Sequence, residues 1–244
     1  MERGLILRQH LFGSNSDELW KACSVVADKC NFFAMHYMDA RNNNFVLDIL
    51  KKAVYLTERD PCGRATSYNN LACFYRLKGK LHKSLSFLQK AIKIESALDK
   101  HDAADTYLNA CAVLSQLGRH QMALQHAQNA LIMLQDEMVQ SLGPQILSNV
   151  QTSKPQTNEQ NNSPEKTQST LMSMRLDRLV VICIAHYNIA VEYSFLKQQN
   201  LSLESYTKGA GIAEKYLGND HSMTKTLKQS KKQMEDAMKS KDRS

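Results

Sequence analysis

The chain has 244 residues, of which 43% are hydrophobic and 23% charged, with a formal net charge of +7. That apolar content suffices for an ordinary core, and no run of about 18 apolar residues offers a membrane span. Nine glycines and four prolines are few for a many-turned β architecture, so long helices are expected.

In chain order, residues 1–15 lack helical periodicity and read as a leader, with an apolar stretch too short and too charged for a signal peptide. Ser16-Asp17-Glu18 reads as a helix start, because a short polar side chain can cap free N–H groups and acids favour the positive helix end. Leu19, Cys23, Val26, Ala27, Cys30, Phe33, Ala34 and Tyr37 then fall on one stripe. Asn42-Asn43-Asn44 breaks it, and a second helix is expected from Phe45 to about Glu58. Asp60-Pro61-Cys62-Gly63 reads as a turn. Two more helical pairs follow, over 64–98 with a turn at Lys78-Gly79-Lys80, and over 102–139 with a turn at Leu117-Gly118-Arg119-His120. Leu142-Gly143-Pro144 fits the end of the last.

Residues 148–170 change character. Gln151 to Pro164 contains no large apolar residue, so this stretch is expected to be a disordered polar insert. Ser163-Pro164 reads either as a plain loop dipeptide or as a proline-directed phosphosite. Helical periodicity resumes near Met172, giving a fourth pair over 171–222 that turns at Gln198-Gln199-Asn200. A polar, basic helix over 223–244 is expected to cap the array. From His221 to Ser244 there are seven Lys/Arg against three acids, which fits either a solvated helix or a contact for an acidic partner. The repeat units themselves are read as not strongly basic, which speaks against nucleic acid.

The pairs repeat one another. Asn70 aligns with Asn109, Ala72 with Cys111, Gly79 with Gly118 and Ala91 with Ala130. A period of roughly 34–45 residues built from paired helices marks an all-α solenoid of four helix-turn-helix units. At Tyr68, Leu71, Ala72, Tyr75, Ser84, Leu88 and Ala91 the pattern resembles the tetratricopeptide repeat. Repeat three supplies Tyr107, Ala110, Cys111, Leu114, Ala123, Ala127 and Ala130; repeat four supplies His186, Ile189, Ala190, Tyr193, Ser202, Tyr206 and Gly209. Repeat one fits with Cys30, Phe33, Ala34, Tyr37, Val46, Leu50 and Ala53. Residues 65–72 and the ending Tyr216 to His221 are similar to the kinesin-light-chain-like branch. Repeat one departs at its turn, with Arg41 for glycine, and repeat four has Lys197 there.

The resemblance implies a peptide-binding groove lined by the first helix of each pair. Carried onto this chain, the lining is Thr66, Asn69, Asn70, Cys73 and Arg76, then Asp105, Leu108, Asn109, Ala112 and Gln116, then Ile184, Tyr187, Asn188, Val191 and Phe195. A row of amides at Asn70, Asn109 and Asn188 can pair with a peptide backbone, or can bond locally and hold the repeats together. A carboxylate clamp is disfavoured, since Arg76 is the one cation in this set.

No catalytic set, cofactor fingerprint or metal spacing is visible, and no enzyme activity is expected. His120 and His126 are six apart, which is not ligand spacing on one helix face, and capping explains Asp102 and Asp105. The six cysteines include no CxxC pair and read as reduced thiols of a cytoplasmic or ciliary protein. The expected function is a scaffold or adaptor for a protein or peptide partner, with a cytoskeletal setting implied by the resemblance. The alternatives are a regulatory repeat region of a larger signalling enzyme and a helical-repeat nucleic-acid binder.

Overall fold

A computed structural model describes residues 2–38, 43–98, 103–151 and 164–241. Among the described residues all regular elements are helices: α1 (Glu2–Phe12), α2 (Asp17–Tyr37), α3 (Asn43–Leu56), α4 (Pro61–Leu77), α5 (Leu81–Ala97), α6 (Ala104–Gln116), α7 (His120–Gln151), α8 (Pro164–Phe195), α9 (Gln199–Leu217) and α10 (Ser222–Lys241). None of them is long and apolar enough to cross a membrane. The chain divides into two compact units, Met1–Leu117 and Gly118–Ser244. The fold is an all-α helical repeat, with α2–α3, α4–α5 and α8–α9 as hairpins.

The small residues set the hairpin crossings. Ala34, Ala72 and Ala190 stand at the equivalent position of the first helix in α2–α3, α4–α5 and α8–α9 and are at most 1% exposed. A larger side chain there would push two helices apart. Second helices contribute Val46, Leu50 and Ala53, then Ser84, Leu88 and Ala91, then Ala123, Ala127 and Ala130, all buried. Two hairpins add the same hydrogen bond: Ser84 Oγ donates to the Ala72 carbonyl at 2.7 Å, and Ser202 Oγ donates to the Ala190 carbonyl at 2.7 Å. At Gly209 an added Cβ would meet the His186 Cβ at 3.0 Å and Leu227 Cδ2 at 3.1 Å, so glycine lets α8, α9 and α10 close on one another.

Turn chemistry repeats as well. Gly79 and Gly118 have φ of +69° and +71°, and Lys197 takes φ +62° in their place. After α4 the Lys80 N–H donates to the Tyr75 carbonyl, and after α8 the Gln198 N–H donates to the Tyr193 carbonyl, both at 2.9 Å. These bonds satisfy helix-end carbonyls in the Schellman manner.

Several expectations change. Residues 2–12 form helix α1, whose Leu5 packs with Leu19, Cys23, Ala27, Ala53 and Leu56. Asp60-Pro61-Cys62-Gly63 is a helix start: Asp60 Oδ1 accepts from the Gly63 N–H at 3.0 Å and Pro61 opens α4. Proline loses nothing at that position, where an N–H has no helical partner. Helix α7 continues through Leu142-Gly143-Pro144 to Gln151, since one proline removes one backbone bond without ending a long helix. Helix α8 begins at Pro164, so residues 148–151 and 164–170 are helical where a polar insert was expected. Low apolar content disfavours burial but leaves helix propensity intact in residues such as Glu165, Lys166 and Gln168. The centre of that insert, 152–163, and Arg41 at the turn of repeat one lie outside the described residues. Helix α10 packs on α9 and α8 through Leu227, which is fully buried.

Candidate functional site

In the first unit α2, α4 and α6 pack side by side, and amide rungs join them. Asn31 Nδ2 donates to Ser67 Oγ at 3.0 Å, and Ser67 in turn donates to the Gly63 carbonyl at 2.8 Å. Asn109 Nδ2 donates to Asn69 Oδ1 at 3.0 Å. The amide of Asn109 thus spends one donor on its neighbouring helix and keeps a carbonyl oxygen and a second N–H.

Around these rungs the residues named from sequence separate. Thr66 and Gln116 are exposed; Asn69, Cys73, Arg76, Asn109 and Ala112 are half-buried. Asn70 and Leu108 are both 7% exposed and face inward more than outward. Asp105 is exposed in the first turn of α6, where its charge suits the helix end. Burial pushes the Cys73 thiol up in pKa, and the opposing pull of Arg76 is the smaller effect, so Cys73 stays a neutral thiol.

Sequence reading missed the contribution of α2. Phe32 and Met35 stand one repeat before Asn70 and Cys73, and they are 66% and 46% exposed. The Phe32 ring stacks against His36 with centroids 6.4 Å apart. Extending the same register one repeat upstream would have found both. The face formed by the first helices α2, α4 and α6 therefore joins an apolar strip on α2 to amide rungs on α4 and α6, with Arg76 as its cation.

In the second unit Tyr187 and Val191 pack against the cluster of Cys183, Ala190, Tyr206 and Leu227, and the Tyr187 ring meets Tyr206 edge-on at 5.8 Å. Asn188 is half-buried, while Ile184 and Phe195 are exposed. Phe195 stacks on His120 at 4.2 Å, and His120 Nδ1 lies 2.8 Å from Oε2 of Glu192, which is 1% exposed. The buried carboxylate of Glu192 was not anticipated, because a single acid in an apolar helix gives no pattern. Among the described residues no three His, Cys, Asp or Glu side chains gather as a metal site.

Repeated small-residue crossings, glycine turns and paired first helices agree with what a family comparison finds. The sequence profile of the tetratricopeptide repeat matches residues 63–136. Those residues are tetratricopeptide repeats. Tetratricopeptide repeats generally mediate protein–protein interaction. No curated protein matches the chain in sequence. Among solved structures the fold is similar to the nearly identical TPR-like repeats from Podosopora anserina named for kinesin light chain, at 12% identity and a TM-score of 0.61. That match covers 91% of this chain and 90% of the other. It is also similar to BtubC (BKLC) from P. vanneervenii, at 14% identity and a TM-score of 0.59, covering 98% of this chain and 89% of that one. The fold of this chain is thus the all-α helical repeat of those structures.

Proposed function

We propose that the chain is an adaptor that holds a peptide or short helix of a partner protein on the α2–α4–α6 face and performs no chemistry of its own. The observation that carries this reading is the mixed strip of Phe32 and Met35 beside the Asn69–Asn109 rung. Exposed apolar groups supply contact area, and amides can answer a partner's backbone. The likeness to structures named for kinesin light chain supports a cytoskeletal setting for this adaptor in the cytoplasm or a cilium.

The test is crosslinked affinity purification of the full chain from its native source, beside the combined variant Phe32→Ser, Asn109→Ala. The account expects the enriched partner to fall by about tenfold while circular dichroism keeps its helical signal. Undiminished capture by the variant would move the interface to another face.

A further inference from the structure

Between Pro61 and Ile94 the chain carries Arg64, Arg76, Lys78, Lys80, Lys83, Lys90 and Lys93 and not one Asp or Glu. The reading that no repeat is strongly basic therefore fails for repeat two. Among the described residues Lys78, Lys80, Lys83, Lys90 and Lys93 make no ion pair; those present lie elsewhere.

Three of these lysines stand over rings, and Lys78 Nζ lies 6.0 Å from the Phe74 ring centre. Lys83 Nζ lies 5.7 Å from the Tyr75 ring centre. Lys90 Nζ lies 5.2 Å from that of Phe87 and 5.7 Å from that of Tyr68. Tyr75 and Phe87 stack at 5.5 Å with planes 3° apart, and Tyr68 meets Phe87 at 5.8 Å. The rings are half-buried, so they form a fixed base across α4 and α5. A ring orients an ammonium without neutralising it. Lys83 and Lys90 are seven residues apart on α5, which places them about 10 Å apart on one face. Preorganised, unanswered charge of one sign is what an oppositely charged partner relieves.

The geometry points to the outer α4–α5 surface as a dock for an acidic, extended segment of another protein. Lys83 and Lys90 are its two charge contacts, and Lys78, Lys80 and Lys93 flank them. This surface uses residues other than those of the α2–α4–α6 face, so it stands independently of the adaptor groove. A nucleic-acid strand is served less well. Strand binders present open ring faces for bases, whereas Tyr75 and Phe87 face each other and the lysines stand over the rings. A membrane is served less well too, because Leu85, Leu88 and Ala91 are buried and leave α5 no apolar stripe to insert.

The test measures anisotropy of a labelled all-glutamate peptide on the full chain, with an oligothymidylate and phosphatidylserine vesicles as competing arms. Lys83→Gln with Lys90→Gln removes the charges and keeps similar stems; Lys232→Gln with Lys239→Gln on α10 is the control. The proposal expects peptide affinity to drop about tenfold in the first pair and less than about twofold in the control. It also expects binding to weaken steadily as salt rises. Equal affinity in wild type and the first variant, or equal loss in the control, overturns it. Tighter binding of the oligothymidylate or the vesicles, lost in the same first variant, also overturns it by assigning the surface to another ligand.

Discussion

Single residues decide the crossings and turns of this chain. Gly63 sits where an added Cβ would meet Asp60 Oδ2 at 2.6 Å and Thr57 Cγ2 at 2.9 Å, so the cap of α4 and the end of α3 close over it. Lys197 does the opposite: it occupies a left-handed turn that glycine fills elsewhere, at a cost of about 1 kcal/mol to an L side chain. Lys197→Gly is expected to raise stability by about 1 kcal/mol, read as a higher denaturation midpoint. An unchanged or lower midpoint would mean that the lysine side chain compensates for its backbone. The small-residue crossings and the turns at Gly79 and Gly118 were legible in the sequence because each is forced by geometry. A crossing admits Ala, and a left-handed turn prefers glycine. Phe32 and Met35 were less legible, because the register was carried forward from repeat two and not back.

At the scale of elements, local rules and packing sometimes point different ways. Pro61 and Gly63 read as a break, yet proline is equally at home at a helix start, and Asp60 supplies the cap. Helix α1 has no clear apolar period, and its burial of Leu5 on α2 appears only when the fold is known. Tyr68 and Tyr75 hide in consensus positions that read as core, and Phe87 packs against both. Helix α8 shows how packing sets chemistry: His186 is 6% exposed, and burial, aided by the charge of Lys208, pushes its pKa below the ordinary 6.5. Burial likewise lowers His126 on α7. The folded unit keeps both imidazoles neutral, whereas the unfolded chain takes up protons once the pH falls below about 6.5. Unfolding then binds protons, so stability falls with pH through that window. Urea titrations at about pH 7.5 and pH 5.5 should give a lower midpoint at the acid value, and His186→Phe should flatten the difference. A midpoint that holds or rises on acidification would show that these histidines are not neutral in the folded chain.

For the molecule as a whole, the helical repeat class follows from the period and the small residues, and the comparisons agree with it. Charge is legible in the sequence at two places, the last helix and an acid-free run of cations in repeat two. The partner is not legible, because a groove of amides and apolar groups specifies a kind of contact and not a name. The central claim is that the α2–α4–α6 face carries the interaction. Photo-crosslinking from a photoreactive residue placed at Met35, at Ala112, or at Tyr55 on α3, which is 78% exposed, tests it most directly. The account predicts that Met35 and Ala112 capture one and the same protein and that Tyr55 does not. Capture from Tyr55 alone, or equal capture from all three positions, would contradict it.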